Sequence, residues 1–186
     1  MKPALLIIDV LQEFFDTGRL EEHRGNLVAY INELIDFARE KEIPIIWVRQ
    51  EFKEDLSDAF LSMRKGNFKS CIENTPGAQI LPELNQQDKD FVVIKKRYSA
   101  FFKTNLDEIL ENLNIDTLIL AGVNTHACVR MAAIDGYQRD YEVILATDCI
   151  DSYDEEFHRV SLRYLSRSIS ILMNNQGIKD TINLTF

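Results

Sequence analysis

The chain has 186 residues, of which 46% are hydrophobic and 27% charged, with a formal net charge of −9. That length suits one globular domain (residues 1–186) able to bury about 70% of the surface its unfolded form exposes, and sparse Gly and Pro argue against a disordered chain. The acidic balance argues against a general surface for nucleic acid or anionic membrane, and no apolar stretch approaches the roughly 18 residues of a membrane span.

The elements read in chain order as short apolar runs alternating with longer helical patterns. Ala4–Ile8 is a continuous apolar run, as expected of a strand buried on both faces. Asn26–Lys41 carries Leu27, Tyr30, Ile31, Leu34, Ile35 and Ala38 at helical spacing. Ile43–Val48 predicts the second strand, with Pro44 tolerable at its start. The stretch from Gln50 to Gln79 has no clean period and carries Gly66, Asn67, Pro76 and Gly77, so it predicts a lid-like excursion with little regular structure. Phe91–Ile94, Thr117–Ala121, Glu142–Ala146 and Ser168–Leu172 predict four further strands, and Leu106–Leu113, Val129–Arg139 and Glu155–Ser166 predict helices. A tight turn is expected at Gly122. The tail from Gly177 to Phe186 reads either as an added edge strand or as an arm toward a second subunit. Strands and helices that alternate without hairpin signals imply an α/β fold: a three-layer αβα, Rossmann-like parallel six-stranded sheet with helices on both faces.

Cys71, Cys128 and Cys149 are odd in number, widely spaced and form no CxxC pair. That favours free thiols in a reducing compartment. Leu5–Ile8 is too short for a secretory leader and is followed at once by Asp9, so the expected location is cytoplasmic.

In an open parallel sheet, ligands bind beyond the carboxyl ends of the strands. Asp9 follows the first strand, Lys95-Lys-Arg-Tyr-Ser99 follows the third, and the run Gly122–Cys128 follows the fourth. Each group has a plain reading. Asp9 suits a cap or turn, a basic run suits a solvated face, and Cys128 suits a small buried hydrophobe. Together they suggest chemistry. A thiol at the first turn of a helix meets unpaired N–H groups and the positive end of the helix dipole, and a nearby lysine favours its anion. A carboxylate can take the thiol proton and deliver it to a leaving amine. His126 is expected at a solvent-facing turn position, and His23 and His158 on the surface. No GxGxxG follows the first or fourth strand, which weakens a dinucleotide-binding reading.

Three blocks carry a family resemblance: Ile7-Ile-Asp9-Val-Leu-Gln-Glu-Phe14, Ile94-Lys95-Lys-Arg-Tyr-Ser-Ala-Phe-Phe-Lys-Thr104 and Ala121-Gly-Val-Asn-Thr-His-Ala-Cys128-Val129. The chain resembles the isochorismatase-like cysteine hydrolases, which include nicotinamidases and N-carbamoylsarcosine amidohydrolases, from Leu5 to about Leu172. The resemblance implies Asp9, Lys95 and Cys128 as the catalytic triad, with Lys96 at a variable position. It also implies a cis peptide at Val123–Asn124 and an oxyanion hole formed by the Asn124 and Cys128 N–H groups. Arg49, Gln50, Arg97, Tyr98 and Phe101 are expected near the rim as substrate-binding candidates, an arginine there being suited to a carboxylate. The segment Arg49-Gln-Glu-Phe-Lys-Glu-Asp55 has no histidine, unlike the nicotinamidase metal motif, so no metal and no other cofactor is expected. The implied activity is a metal-independent cysteine amidohydrolase cleaving a C–N bond of a small amide or ureido compound through a Cys128 thioester. The alternatives are an isochorismatase-type vinyl-ether hydrolase and a non-catalytic interaction protein on the same fold. Family members usually associate, so a homo-oligomer is expected, with neither nucleic acid nor membrane as partner.

Overall fold

A computed structural model, which describes residues 1–185, places six strands in one sheet: β1 (Pro3–Ile8), β2 (Ile45–Gln50), β3 (Phe91–Lys95), β4 (Thr117–Val123), β5 (Glu142–Asp151) and β6 (Ile171–Met173). Every pairing is parallel, and the order across the sheet is β3-β2-β1-β4-β5-β6. The direction of strand addition therefore reverses between β1 and β4, which opens a crevice at their carboxyl ends. Six helices connect or flank the strands: α1 (Gly18–Glu40), α2 (Leu61–Gly66), α3 (Leu106–Asn112), α4 (Arg130–Tyr137), α5 (Glu155–Leu165) and α6 (Asn175–Thr185). Among the described residues no helix is long and apolar enough to cross a membrane.

The period-two geometry of a strand sorts the side chains of β1 onto two cores. Leu5 and Ile7 join Ile45, Trp47, Ile119 and Ile144 beneath α1 and α6. Ala4, Leu6 and Ile8 join Ile46, Val48, Leu118 and Leu120 beneath α3, α4 and α5. Sheet and two helical layers give the αβα fold that the alternating pattern implies.

Several boundaries move for identifiable reasons. The first helix begins at Gly18 rather than Asn26, because Leu20 stands two turns before Leu27 and extends the same buried stripe. β5 runs on to Asp151, past the expected end at Ala146, because its register against β4 shifts between Leu120↔Leu145 and Gly122↔Ile150 and pairing then resumes. The tail is neither an edge strand nor an arm. It forms α6, with Ile178 and Ile182 one turn apart and buried against α1, while Phe186 lies outside the described residues. Asn175 anchors the start of α6, its Nδ2 donating to Tyr30 O and to Glu33 Oε2, each at 2.9 Å. The irregular stretch after β2 contains only the short α2 and a single turn at Pro76–Ala78, yet it closes over a small core of its own. Leu11, Phe52, Leu56, Ala59, Met63, Cys71 and Ile72 make up that cluster.

Gly122 is not a turn. It sits inside β4 opposite Ile8 with φ of +110°, and a Cβ built there would stand 2.0 Å from Ile8 O. The obstacle is the backbone of the central strand, which cannot retreat without breaking the β1–β4 ladder. Gly122→Ala is therefore expected to cost about 4 kcal/mol or more. The check is the yield of soluble folded protein and the urea midpoint, and a midpoint near wild type would overturn the reading.

Candidate active site

Asp9 directly follows β1, held in a left-handed conformation with φ of +51° that carries the chain out of the sheet. The carboxylate stays inside, 1% exposed, and its Oδ1 accepts the Gln50 backbone N–H at 2.7 Å. Gln50 is the last residue of β2 and pairs in register with Lys95, the last residue of β3. β3 lies two strand spacings from β1, roughly 10 Å, so only a long side chain bridges the gap. Lys95 does so with its whole side chain buried, placing Nζ 2.6 Å from Asp9 Oδ2.

Lys95 Nζ also lies 3.1 Å from Gln50 Oε1, 3.2 Å from Arg97 O and 3.4 Å from Cys128 Sγ. An ammonium has three N–H donors, so these three contacts and Asp9 Oδ2 cannot all be satisfied at once. Asp9 Oδ2 takes no hydrogen bond from any other group among the described residues. Carboxylate, ammonium and thiol, delivered by three strands, thus meet at one buried point.

The thiol arrives on a π-helical turn, Thr125–Val129, that leads into α4. The Val123–Asn124 peptide before it is cis. Asn124 Oδ1 accepts the Tyr153 N–H at 3.0 Å, and buried Thr125 donates through Oγ1 to Asp151 O at 2.9 Å. With its one proton so used, Thr125 Oγ1 can only accept from His158 Nδ1, 2.9 Å away, which fixes the proton on that nitrogen. The Asp151 carboxylate accepts from Arg19 Nη1 at 3.0 Å and from His23 Nδ1 at 2.7 Å. His126 bonds through Nδ1 to Ser152 Oγ and packs edge-on against Tyr153, with ring centroids 4.8 Å apart. His126 and His158 are thus half-buried partners within the fold, not the solvent-facing residues expected, whereas His23 stays at the surface, its side chain 45% exposed, while it bonds Asp151. Thr125, Asp151 and His158 escaped sequence reading because they come from separate elements. The one available signal was a carboxylate closing β5, as Asp9 follows β1.

Electrostatics corrects a second expectation. Burial pushes the Cys128 thiol up, the Asp9 charge adds to this, and Lys95 opposes both without reversing them. Beside a buried ion pair the two charges offset each other at sulfur, so the resting thiol is neutral. Burial alone would depress the Lys95 ammonium, but Asp9 and then Cys128 outweigh it and hold its pKa above the usual value.

Cys71 and Cys149 are likewise pushed up, chiefly by burial. The folded state then holds thiol protons more tightly than the unfolded chain. The resulting stability is fully present below about pH 8.5, the unfolded thiol value, and is lost as pH rises toward the folded values. Melting temperature is expected to fall steadily from about pH 8.5 to 10.5. A flat profile would show that the thiols ionise as readily folded as unfolded.

Of the rim candidates, Arg49 donates to Gln79 Oε1 at 3.1 Å and to Glu51 Oε2 at 3.0 Å. Arg97 donates to Asp58 O at 2.8 Å, and its guanidinium lies 5.4 Å from the Phe60 ring centroid. Tyr98 is half exposed against the same Phe60, with ring centroids 4.9 Å apart. Phe101 is not at the rim: it is buried beneath Tyr141 and Arg139, in the second helical layer. Its apolar ring follows the sheet into the core. The segment after β2 offers no imidazole, and among the described residues no group of three or more His, Cys, Asp or Glu converges on a metal position.

With this geometry described, comparison with known proteins is informative. The family model for the isochorismatase domain matches residues 3–176. A protein of Arabidopsis thaliana named a probable inactive nicotinamidase is 31% identical over 186 residues, covering 95% of this chain and 90% of its own. An isochorismatase family protein from Desulfovibrio vulgaris superposes with a TM-score of 0.90 at 26% identity, covering 98% of each chain. N-carbamoylsarcosine amidase from Thermoplasma acidophilum gives 0.79 at 27% identity, covering 94% of this chain and 97% of its own.

Proposed function

The chain belongs to the isochorismatase family, and on that premise we propose that it is a metal-independent cysteine hydrolase cleaving a C–N bond of a small amide or ureido compound. The observation that carries this reading is the buried contact of Cys128 Sγ with Lys95 Nζ at 3.4 Å, itself 2.6 Å from Asp9 Oδ2. The amidase activity named for the Thermoplasma relative supports it.

Asp9 takes the proton of the neutral thiol as sulfur attacks the carbonyl carbon, and Lys95 balances the charge that moves onto sulfur. The tetrahedral oxyanion forms against the N–H groups of Asn124 and Cys128, an arrangement in which loss of one donor costs about 10²–10³ in rate. The C–N bond then breaks, and ammonia or an amine leaves with the proton held by Asp9. Water attacks the thioester, passes a proton to Asp9 and releases the acid, and that proton returns to sulfur. Asp9 Oδ2, which takes no other hydrogen bond among the described residues, suits both proton transfers.

Ammonia release from a panel of small amides, ureido acids and nicotinamide tests the reading, with a chelator present and Cys128→Ala beside the wild type. Release that survives chelation and disappears in the variant is the expected result. Silence across the panel, with isochorismate then cleaved by both proteins, would move the function to vinyl-ether hydrolysis. Absent thiol alkylation at Cys128 together with silence on both substrates would favour a non-catalytic role.

A further inference from the structure

We propose that Thr125 and His158 are positioning residues for the oxyanion turn: one hydroxyl, gripped from β5 and from α5, fixes the backbone that carries the Asn124 and Cys128 N–H groups. This deepens the amidase reading and rests on it.

The two N–H groups belong to one turn, in which Asn124 precedes the π-helical residues Thr125–Val129. The Asn124 N–H meets no acceptor among the described residues, so it is free for an oxyanion as long as the turn keeps its shape. Asn124 O accepts the N–H groups of Ala127 at 3.0 Å and of Val129 at 3.3 Å, which closes the turn on itself. Side chains supply its polar ties to the rest of the fold. Asn124 accepts from the Tyr153 N–H, His126 bonds Ser152 Oγ and Thr125 donates to Asp151 O, so all three run to the end of β5 and just beyond it. Of the three residues only Thr125 is fully buried.

The Thr125 hydroxyl both donates and accepts. Its proton goes to Asp151 O at 2.9 Å, and His158 Nδ1 donates to it at 2.9 Å. Burial lowers the His158 pKa, so the ring is neutral at pH 7 and the Nδ1 proton is its only one. Asp151 is itself held, its carboxylate accepting from Arg19, from His23 and from the Ser152 N–H at 2.7 Å. α1, β5 and α5 thus meet at Thr125 Oγ1 through one chain of hydrogen bonds. Neither Thr125 nor His158 hydrogen-bonds Asp9, Lys95 or Cys128 Sγ among the described residues, so their influence on turnover passes through the turn. Valine at position 125 would keep the side-chain shape and leave the Asp151 carbonyl and the His158 N–H without a partner.

The test uses the amide that wild type turns over fastest, at neutral pH. Thr125→Val is expected to lower kcat by about 10- to 100-fold with KM within about twofold, and His158→Leu to do the same. Thr125→Ser keeps the hydroxyl, and His158→Asn puts an Nδ2–H where the imidazole Nδ1–H stands, so each should recover kcat to within about fivefold of wild type. Both side chains act through one oxygen, so the Thr125→Val, His158→Leu double variant should be no slower than the slower single one. Alkylation of Cys128 by iodoacetamide displaces iodide and builds no oxyanion, so its rate should stay within about twofold in every variant. A kcat near wild type in Thr125→Val or His158→Leu, a loss that serine or asparagine fails to recover, or an equal loss of alkylation would overturn the assignment and leave the amidase reading standing. Absence of amide turnover in wild type would remove both. Should Thr125→Val fail to fold, the two His158 variants decide.

Discussion

Replacing Cys128 by alanine is expected to reduce amide hydrolysis by about 10⁴-fold or more while the protein stays folded. The size of the effect follows from what is left behind. Asp9 and Lys95 would still form their ion pair at 2.6 Å, but no atom would remain to bond the carbonyl carbon. Background water attack would benefit only from whatever substrate binding and oxyanion donors survive. The fold should persist because alanine keeps the backbone and helical propensity of the turn and removes a single buried atom from a residue 5% exposed. Cys128→Ser should be nearly as inactive, since a buried hydroxyl is a far weaker acid than a thiol and gains little from a carboxylate base. Ammonia release and thiol titration, run on both variants with a melting curve, check the prediction. Turnover within tenfold of wild type in either variant would rule out a covalent route through this sulfur.

Lys95→Met should show the second large effect, on stability as well as activity. The ammonium is fully buried, and its removal leaves the Asp9 carboxylate alone in the interior with the Gln50 N–H as its remaining donor. Breaking a buried pair from one side typically costs about 3–5 kcal/mol. For a chain of this length that is a fall of roughly 10 °C in melting temperature. Asp9→Asn combined with Lys95→Met should recover most of the stability and none of the activity. A double variant no more stable than Lys95→Met would show that the pair is not the source of the loss. Melting curves, with ammonia release measured in parallel, separate the two effects.

The site was partly legible because Asp9 and Lys95 directly follow apolar runs and Cys128 stands one short turn beyond another. A polar residue closing a buried strand has to go to a rim, and in a parallel sheet all the carboxyl ends share one rim. Asp9, Cys128 and the basic run that opens with Lys95 could be placed there from local pattern, and the family resemblance singled out Lys95 from Lys96. Their meeting could not, since Lys95 reaches Asp9 only because β2 lies between β3 and β1 and holds both ends through Gln50. Arg49 and Arg97 illustrate the same limit. In sequence nothing ties them down, whereas in the folded chain Gln79 and Asp58, from the stretch after β2, each hold one Nη of the two guanidinium groups.

The sequence by itself determined the alternation of strands and helices, the parallel sheet with two covered faces, and the three chemical groups at its rim. These follow from side-chain periodicity, which is a property of residues a few positions apart. Only the tertiary structure decided what depends on neighbours far along the chain. It made the tail a helix, because Ile178 and Ile182 found a face of α1 to cover. It put Gly122 inside a strand, because Ile8 O presses against it. It kept the Cys128 thiol neutral, because burial and the Asp9 charge together outweigh the pull of Lys95. A local pattern states which groups can arrive at a point, while the pKa and partners of each depend on everything else packed around it.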